Sequence, residues 1–471
     1  MNMPTAPSRA PESADDTRLP VELLERFDTP GPRYTSYPTA DRFVEAFGPD
    51  DYARALAQRA GQAQPLSLYL HIPFCESLCY YCACNKVITK HHERAAEYLD
   101  ALDVEIDLHT AALGREQQVS QLHFGGGSPT FLSDAELARL MTKLGTSFRI
   151  APDAEVSIEV DPRTADAGRL AAWRAMGFNR LSFGVQDFDP EVQRAVHRVQ
   201  PFESVQALMA HARELGYVSI NADLIYGLPK QTPESFARTV AQTAQLRPDR
   251  IALYAYAHLP TRFKPQRRID AAQLPPAGDR VQMLAGAIAG FLGHGYSYIG
   301  MDHFALADDA LAVAKREGRL HRNFQGYTTQ PGCDLLGLGV SAIGRVGATY
   351  SQNAKTLPEY YDAMQQRRFA VQRGLGLTRD DELRRNVIMA LMCQGRLDFD
   401  AVEAEHPIRV AEYFAAELAQ LAELEQAGLV VREVRSVRVT ARGWFFVRAV
   451  AMVFDRYVQS PQSRERFSKI I

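Results

Sequence analysis

The 471-residue chain has only 6 cysteines and 2 tryptophans. Six thiols are too few to staple a chain of this length, which excludes a small disulfide framework. No sign of charge dominates, because 53 Lys and Arg against 56 Asp and Glu leave a net charge of −3. The chain as a whole therefore does not act as a polycation toward nucleic acid or an anionic membrane, and any basic site must be local. Long apolar runs are missing too: the longest, about Met283 to Leu292, falls well short of the ~20 residues that a membrane-spanning helix needs. The opening stretch Met1 to Asp16 is rich in Pro, Ala and Ser and has no apolar signal-peptide core. Export is not expected. These features predict a soluble, cytoplasmic protein with no membrane span.

What is present is ordinary globular composition, 46% hydrophobic and 23% charged, over a length that suggests one large domain with a smaller appendage. Six strand-like segments recur at Leu66 to Ile72, Gln121 to Phe124, Glu155 to Val160, Arg180 to Gln186, Val218 to Ile225 and Arg250 to Ala257. In the first, Leu66, Leu68, Leu70 and Ile72 share one face while Ser67, Tyr69 and His71 share the other. Helical intervals such as Ala95 to Leu113, Pro201 to Leu215 and Thr232 to Leu246 are long enough for right-handed crossovers. The fold expected is α/β, a partial (β/α)6 TIM-like barrel. Residues 1–50 are expected to form an N-terminal arm with a disordered start, residues 51–370 the barrel domain and residues 371–471 a mostly helical C-terminal domain. There, helices at Asp381 to Cys393 and Val410 to Ala427 lead to a hairpin-like stretch around Leu429 to Thr440, the order of a winged helix. Its Arg432, Arg435, Arg438 and Arg442 raise DNA binding as a question, but such a charged ribbon usually reads as a solvated face, and no nucleic-acid partner is expected.

Four cysteines lie in one ten-residue stretch as Cys75-x3-Cys79-x2-Cys82-x-Cys84, directly after His71-Ile72-Pro73-Phe74. Structural zinc usually takes two separated ligand pairs, and no second pair is evident, so an iron-sulfur cluster fits better than zinc. The run Gly125-Gly126-Gly127-Ser128-Pro129-Thr130 lacks the ending of a P-loop. It offers bare backbone that a ligand can approach closely, with exposed N–H groups, although a tight structural turn would read the same way. Ser133 and Glu136 form a Ser-x-x-Glu capping box that places this run between a strand and a helix. It then falls on the same barrel rim as the cysteines, where Glu159, Asp161 and Gln186 also end their strands.

The subset Cys75-x3-Cys79-x2-Cys82 resembles the signature of the radical S-adenosylmethionine (SAM) superfamily. There, three thiolates hold three irons of a 4Fe-4S cluster and the open fourth iron binds SAM, which one electron cleaves to a 5'-deoxyadenosyl radical. A wider resemblance runs from Gly31-Pro32-Arg33-Tyr34-Thr35-Ser36-Tyr37-Pro38 through the cysteine and glycine runs, Phe183-Gly184-Val185-Gln186 and Asp223-Leu224-Ile225-Tyr226-Gly227-Leu228-Pro229. It continues through Tyr256-Ala257-His258-Leu259-Pro260 and His321-Arg322-Asn323-Phe324-Gln325-Gly326-Tyr327 to Gly339-Val340-Ser341-Ala342-Ile343. Over most of residues 31–400 the chain resembles the oxygen-independent coproporphyrinogen III oxidases.

That resemblance implies oxidative decarboxylation of two propionates of coproporphyrinogen III to vinyl groups, in haem synthesis, with two SAM molecules and a flavodoxin- or ferredoxin-type electron donor, in a monomer. It also implies that Cys75, Cys79 and Cys82 are the cluster ligands and Cys84 is not. Tyr69, Gly126 and Glu159 would touch the cluster-bound SAM, and Tyr81, Gly127, Ser128, Gln186, Arg198, Asp223, Ala257 and Ile343 would hold the second. Tyr69, His71 and Glu159 are the candidate catalytic residues. Related haem-binding chaperones are the rival, but their His-Asn-x-x-Tyr-Trp motif is absent, since Arg322 separates His321 from Asn323 and Thr328 follows Tyr327. Arg262, Lys264, Arg267 and Arg268 are candidates for propionate contact, against the plainer reading of a solvated loop. Arg33, Tyr34 and Tyr37 are expected in an arm that closes over the mouth.

Overall fold

The structure is a computed structural model that describes residues 23, 26–27, 29–330, 332–464 and 467. The expected disorder at the start of the arm lies outside the described residues. The chain divides into two compact units, Tyr34–Arg385 and a second that joins the residues up to Arg33 with those from Asn386 onward.

The larger unit is built on one twelve-stranded sheet. Its strands are β1 (Leu66–Ile72), β2 (Gln118–Gly126), β3 (Arg149–Val160), β4 (Arg180–Gln186), β5 (Ser219–Tyr226), β6 (Arg250–Ala255), β7 (Tyr296–Gly300), β8 (His303–Leu306), β9 (Asp334–Leu338), β10 (Ile343–Val346), β11 (Thr349–Asn353) and β12 (Val371–Gly376). β1 to β6 run parallel in chain order. The helices between them include α1 (Arg94–Leu113), α2 (Asp134–Ser147), α3 (Phe202–Glu214) and α4 (Pro233–Leu246). In β1 Leu66, Leu68, Leu70 and Ile72 are fully buried and share one face, which leaves Ser67, Tyr69 and His71 for the other. The capping box starts α2 as expected: the Glu136 N–H donates to Ser133 Oγ at 3.3 Å and the Ser133 N–H to the Glu136 carboxylate at 2.8 Å.

Beyond the six expected strands, β9 adds a seventh parallel one on the free edge of β1. Its five residues are all buried, so it carries no alternation by which a strand is recognised. β10 to β12 then extend that edge antiparallel, and β8 and β7 do the same beyond β6. The sheet therefore runs past residue 370, where a domain boundary was expected. Tyr34 and Tyr37, expected in a closing arm, are fully buried.

In the smaller unit the expected helix over Val410 to Ala427 is split by the buried Phe414 into Val410–Tyr413 and Ala415–Gln426. The hairpin forms as Val430–Glu433 and Ser436–Val439, with Arg396–Asp398 as a third strand. Arg432 donates to Glu425 at 2.7 Å and Arg435 pairs with Asp400 and with Glu403 at 2.7 Å. Arg432 and Arg435 thus face their own unit's carboxylates. Among the described residues no helix is long and apolar enough to cross a membrane.

Candidate active site

The cysteine loop is clamped at its base. Phe74–Cys75 pairs with Val87–Ile88, the Val87 N–H donates to Pro73 O at 2.7 Å and the Thr89 N–H to Cys75 O at 2.9 Å. Cys79 is buried and receives hydrogen bonds from two guanidinium groups, Arg198 at 3.5 Å and Arg163 at 3.6 Å. Burial, with Cys82 and Cys79 nearby, pushes the Cys75 thiol up to about 12. Cys82 is brought down to about 6, chiefly by the hydrogen bond it accepts from Cys84, with Lys86 assisting. The donor, Cys84, is pushed correspondingly high.

The glycine run is shaped by this loop. A Cβ on Gly127 would stand 2.6 Å from Pro73 O and 2.9 Å from Phe74 O, and one on Gly126, at φ +120°, would stand 2.8 Å from His71 Nδ1. Only glycine admits so close an approach. The N–H groups expected to be exposed are instead used within the chain: Gly126 donates to Glu159 Oε2 at 3.2 Å, Gly127 to Ile72 O at 2.8 Å and Ser128 to Phe74 O at 2.9 Å. The run is both a close-packed turn and a cavity wall.

His71 Nε2 lies 2.9 Å from Asn85 O, and a carbonyl only accepts, so the proton is on Nε2. Nδ1 is then the acceptor for the Tyr69 hydroxyl at 3.1 Å. Burial lowers His71 and holds Tyr69 well above its ordinary value. This neutral relay, Tyr69 to His71 to Asn85, ties β1 to the end of the cysteine loop.

Across the rim, Asp161 is pulled down to about 2 by Arg198 and Arg163 although burial opposes its ionisation. It meets Arg163 at 2.6 Å and Arg198 at 3.3 Å. Asp223 is raised to about 6 by burial and by the charge of Glu159, and accepts from Asn221 at 2.8 Å and Ser182 at 3.1 Å. Gln186 closes β4 at φ +68°, a left-handed conformation rare for a side-chain-bearing residue, at the cavity edge.

Two adjoining cavities gather these groups. The first, about 430 Å³, is lined by Cys75, Cys79 and Cys82 together with Tyr81, Gly126, Gly127, Ser128, Glu159, Gln186, Arg198 and Asp223. The second, about 400 Å³, is lined by Tyr69, His71, Asn85, His123 and Ile343 and shares Cys84, Gly126, Glu159 and Tyr254 with the first. Ile343, expected beside Tyr81, faces the Tyr69 side. Ala257 lines neither cavity. Its carbonyl accepts from Gln266 Nε2 at 3.1 Å, and the same amide reaches Tyr81 O at 3.1 Å. Tyr81 packs against Val192, Val196, Leu228, Tyr256 and Ile269. Arg262, Lys264, Arg267 and Arg268 line neither cavity.

Sequence reasoning passed over Arg163, Ser182, Asn221 and His123. Period two carries the signal for three of them: Ser182 shares a strand face with Gln186, Asn221 with Asp223, and His123 with Gln121. Arg163 follows Asp161-Pro162 and had no such marker.

The parallel barrel with three cysteines above its rim defines a radical SAM enzyme, and the model of the Radical SAM superfamily matches residues 69–242. The HemN C-terminal domain model matches residues 377–446. The oxygen-independent coproporphyrinogen III oxidase of Salmonella typhimurium is 51% identical over 96% of this chain and 98% of its own length, and that of Pseudomonas aeruginosa 50% over 97% and 100%. The solved Escherichia coli coproporphyrinogen III oxidase, HemN, described as a radical SAM enzyme, superposes with a TM-score of 0.89 at 51% identity, covering 93% of this chain and 99% of that one. The chain belongs to the oxygen-independent coproporphyrinogen III oxidase family.

Membership implies a 4Fe-4S cluster and SAM, and the residues present fit them. Three thiols line one cavity, Cys82 is readily a thiolate, and the burial and neighbouring thiols that raise Cys75 oppose a free thiolate that bound cationic irons would stabilise. Among the described residues no group of three or more His, Cys, Asp or Glu is gathered around a single-ion site. Three thiolates that each take a different iron stand further apart than ligands of one ion.

Proposed function

We propose that the chain removes two propionate carboxylates of coproporphyrinogen III oxidatively and without oxygen, leaving the vinyl groups of protoporphyrinogen IX. The observation that supports this most is a single cavity wall carrying Cys75, Cys79 and Cys82 with Glu159, Arg198 and Asp223, in a chain of this family. When bound, the cluster and SAM supply a 5'-deoxyadenosyl radical that takes a β-hydrogen from a propionate. Per propionate, the substrate loses one hydrogen atom to the radical, CO2, and one electron to a one-electron acceptor, and keeps a vinyl group.

In this reading Cys75, Cys79 and Cys82 are the ligands, and the hydrogen bond from Cys84 assists Cys82. Tyr69, Gly126 and Glu159 hold one SAM. Tyr81, Gly127, Ser128, Gln186, Arg198, Asp223, Ala257 and Ile343 hold a second, with Ala257 acting through Gln266 and Ile343 from the Tyr69 side. Arg198 and Arg163 suit a carboxylate, and Asp223 with its Asn221 and Ser182 partners suits ribose hydroxyls. Tyr69 and His71 keep the loop end in place, and the close-packed glycines help to exclude water. Arg262 and Arg267 guide the anionic substrate toward the mouth. The protein works as a cytoplasmic monomer with a flavodoxin- or ferredoxin-type reductant. Anaerobic incubation of reconstituted protein with SAM, a reductant and coproporphyrinogen III should release two CO2 per protoporphyrinogen IX. Stoichiometric haem binding without CO2 release contradicts the reading.

A further inference from the structure

Beside the cavity lined by Tyr69 lies a smaller one of about 50 Å³, and the two share Phe324 and Leu335 as walls. Three guanidinium groups border it: Arg322, Arg345 on β10, and Arg385. Arg345 and Arg385 each have a buried Nε that makes no hydrogen bond among the described residues. Burial and the neighbouring Arg385 lower Arg345, and the same two causes lower His321, another wall residue. The acids facing Arg345 are Asp334 and Glu382. Asp334 is already held by Arg59 at 2.8 Å and by the Gly347 N–H at 2.8 Å. Cations crowded in a partly buried wall repel one another, and an anion between them offsets that repulsion.

The space admits one carboxylate group but no pyrrole ring, and none of the cluster cysteines borders it. Arginine meets a carboxylate through paired N–H donors. From this we infer that the cavity bordered by Arg322, Arg345 and Arg385 is the subsite for a propionate that does not react, reached from the Tyr69 cavity past Phe324. The inference rests on the reading of the substrate as coproporphyrinogen III, whose four propionates include two that remain. A carboxylate anchored there fixes which side of the macrocycle faces the cysteine loop.

The test uses anaerobically reconstituted enzyme and the variants Arg345→Gln, Arg385→Gln and Arg345→Lys, with Arg139→Gln as a surface control. Arg139 pairs with Asp100 and Asp103 at 2.6 Å, on the outer helices. Each Gln variant should raise KM and Kd for coproporphyrinogen by about tenfold or more, with kcat within about twofold and an unligated Tm that is unchanged or higher. Arg345→Lys should fall between parent and Arg345→Gln, and Arg139→Gln should match the parent. If Arg345→Gln does not fold, Arg385→Gln and Arg345→Lys decide the matter. A KM within twofold of the parent in the folded variants overturns the subsite. So does inorganic phosphate that raises the parent's Tm and is not displaced by coproporphyrinogen, which would mark a phosphate site. Parent enzyme that fails to decarboxylate coproporphyrinogen contradicts the functional reading instead, so the two failures are distinct.

Discussion

Glu105 offers a perturbation whose size follows from its surroundings. It is 1% exposed within α1 and accepts from the Gly339 N–H at 2.6 Å, Asn353 Nδ2 at 2.7 Å and the Tyr360 hydroxyl at 2.7 Å. It thereby ties α1 to the loop after β9, where Val340 N–H donates to Tyr98, whose own hydroxyl holds His71 O at 2.6 Å. Three donors favour the carboxylate, yet burial wins and raises Glu105 from 4.5 to about 7. A carboxyl raised on folding contributes stability that is complete below its unfolded value and is lost as pH rises toward the folded one. Between about pH 5 and pH 8 the loss amounts to about 2.5 kcal/mol. Glu105→Gln is uncharged throughout, so the variant should gain about that much relative to the parent across the same interval. Urea unfolding of both proteins at the two pH values, followed by near-UV circular dichroism, measures the difference. Parallel pH profiles for parent and variant would refute the reasoning.

Gly127→Ala forces a Cβ against the carbonyls of Pro73 and Phe74; it should destabilise the protein by about 1–3 kcal/mol and lower its iron content after reconstitution. Tyr81→Ala should retain the cluster and lose SAM stoichiometry or turnover, and full activity with unchanged SAM binding would remove Tyr81 from the site. Serine at Cys75, Cys79 or Cys82 should abolish iron binding while Cys84→Ser retains it, as read by iron content. Arg262→Ala and Arg267→Ala should raise KM for coproporphyrinogen modestly and more steeply at low salt, as expected of steering charges.

The parts of the site that are legible in the sequence are those whose chemistry is local. The cysteine spacing sits within one loop, and the alternation of β1 is enough by itself to put Tyr69 and His71 on the lumen side. The expected bounds of β4 match the observed ones, since Leu181, Phe183 and Val185 alternate with Ser182 and Gly184. What stays hidden depends on partners distant in sequence. β9 is buried on both faces and shows no periodicity. Glu105 lies in a helix, where an acid normally reads as solvated. The role of His71 depends on a backbone carbonyl at Asn85, and Arg345 and Arg385 acquire meaning only when β10 and the segment after β12 are brought together. The full burial of Tyr34 and Tyr37 is hidden as well, because an aromatic reads the same in sequence whether it lies in an exposed arm or in the core.

The claim that the barrel directs a radical to a propionate is tested most directly by following the hydrogen. Reconstituted enzyme would be given SAM, reductant and coproporphyrinogen III deuterated at the propionate β-carbons, and the 5'-deoxyadenosine and porphyrin products analysed by mass spectrometry. The account predicts deuterium in 5'-deoxyadenosine in step with CO2 release and vinyl formation. Unlabelled 5'-deoxyadenosine formed alongside vinyl product would contradict it.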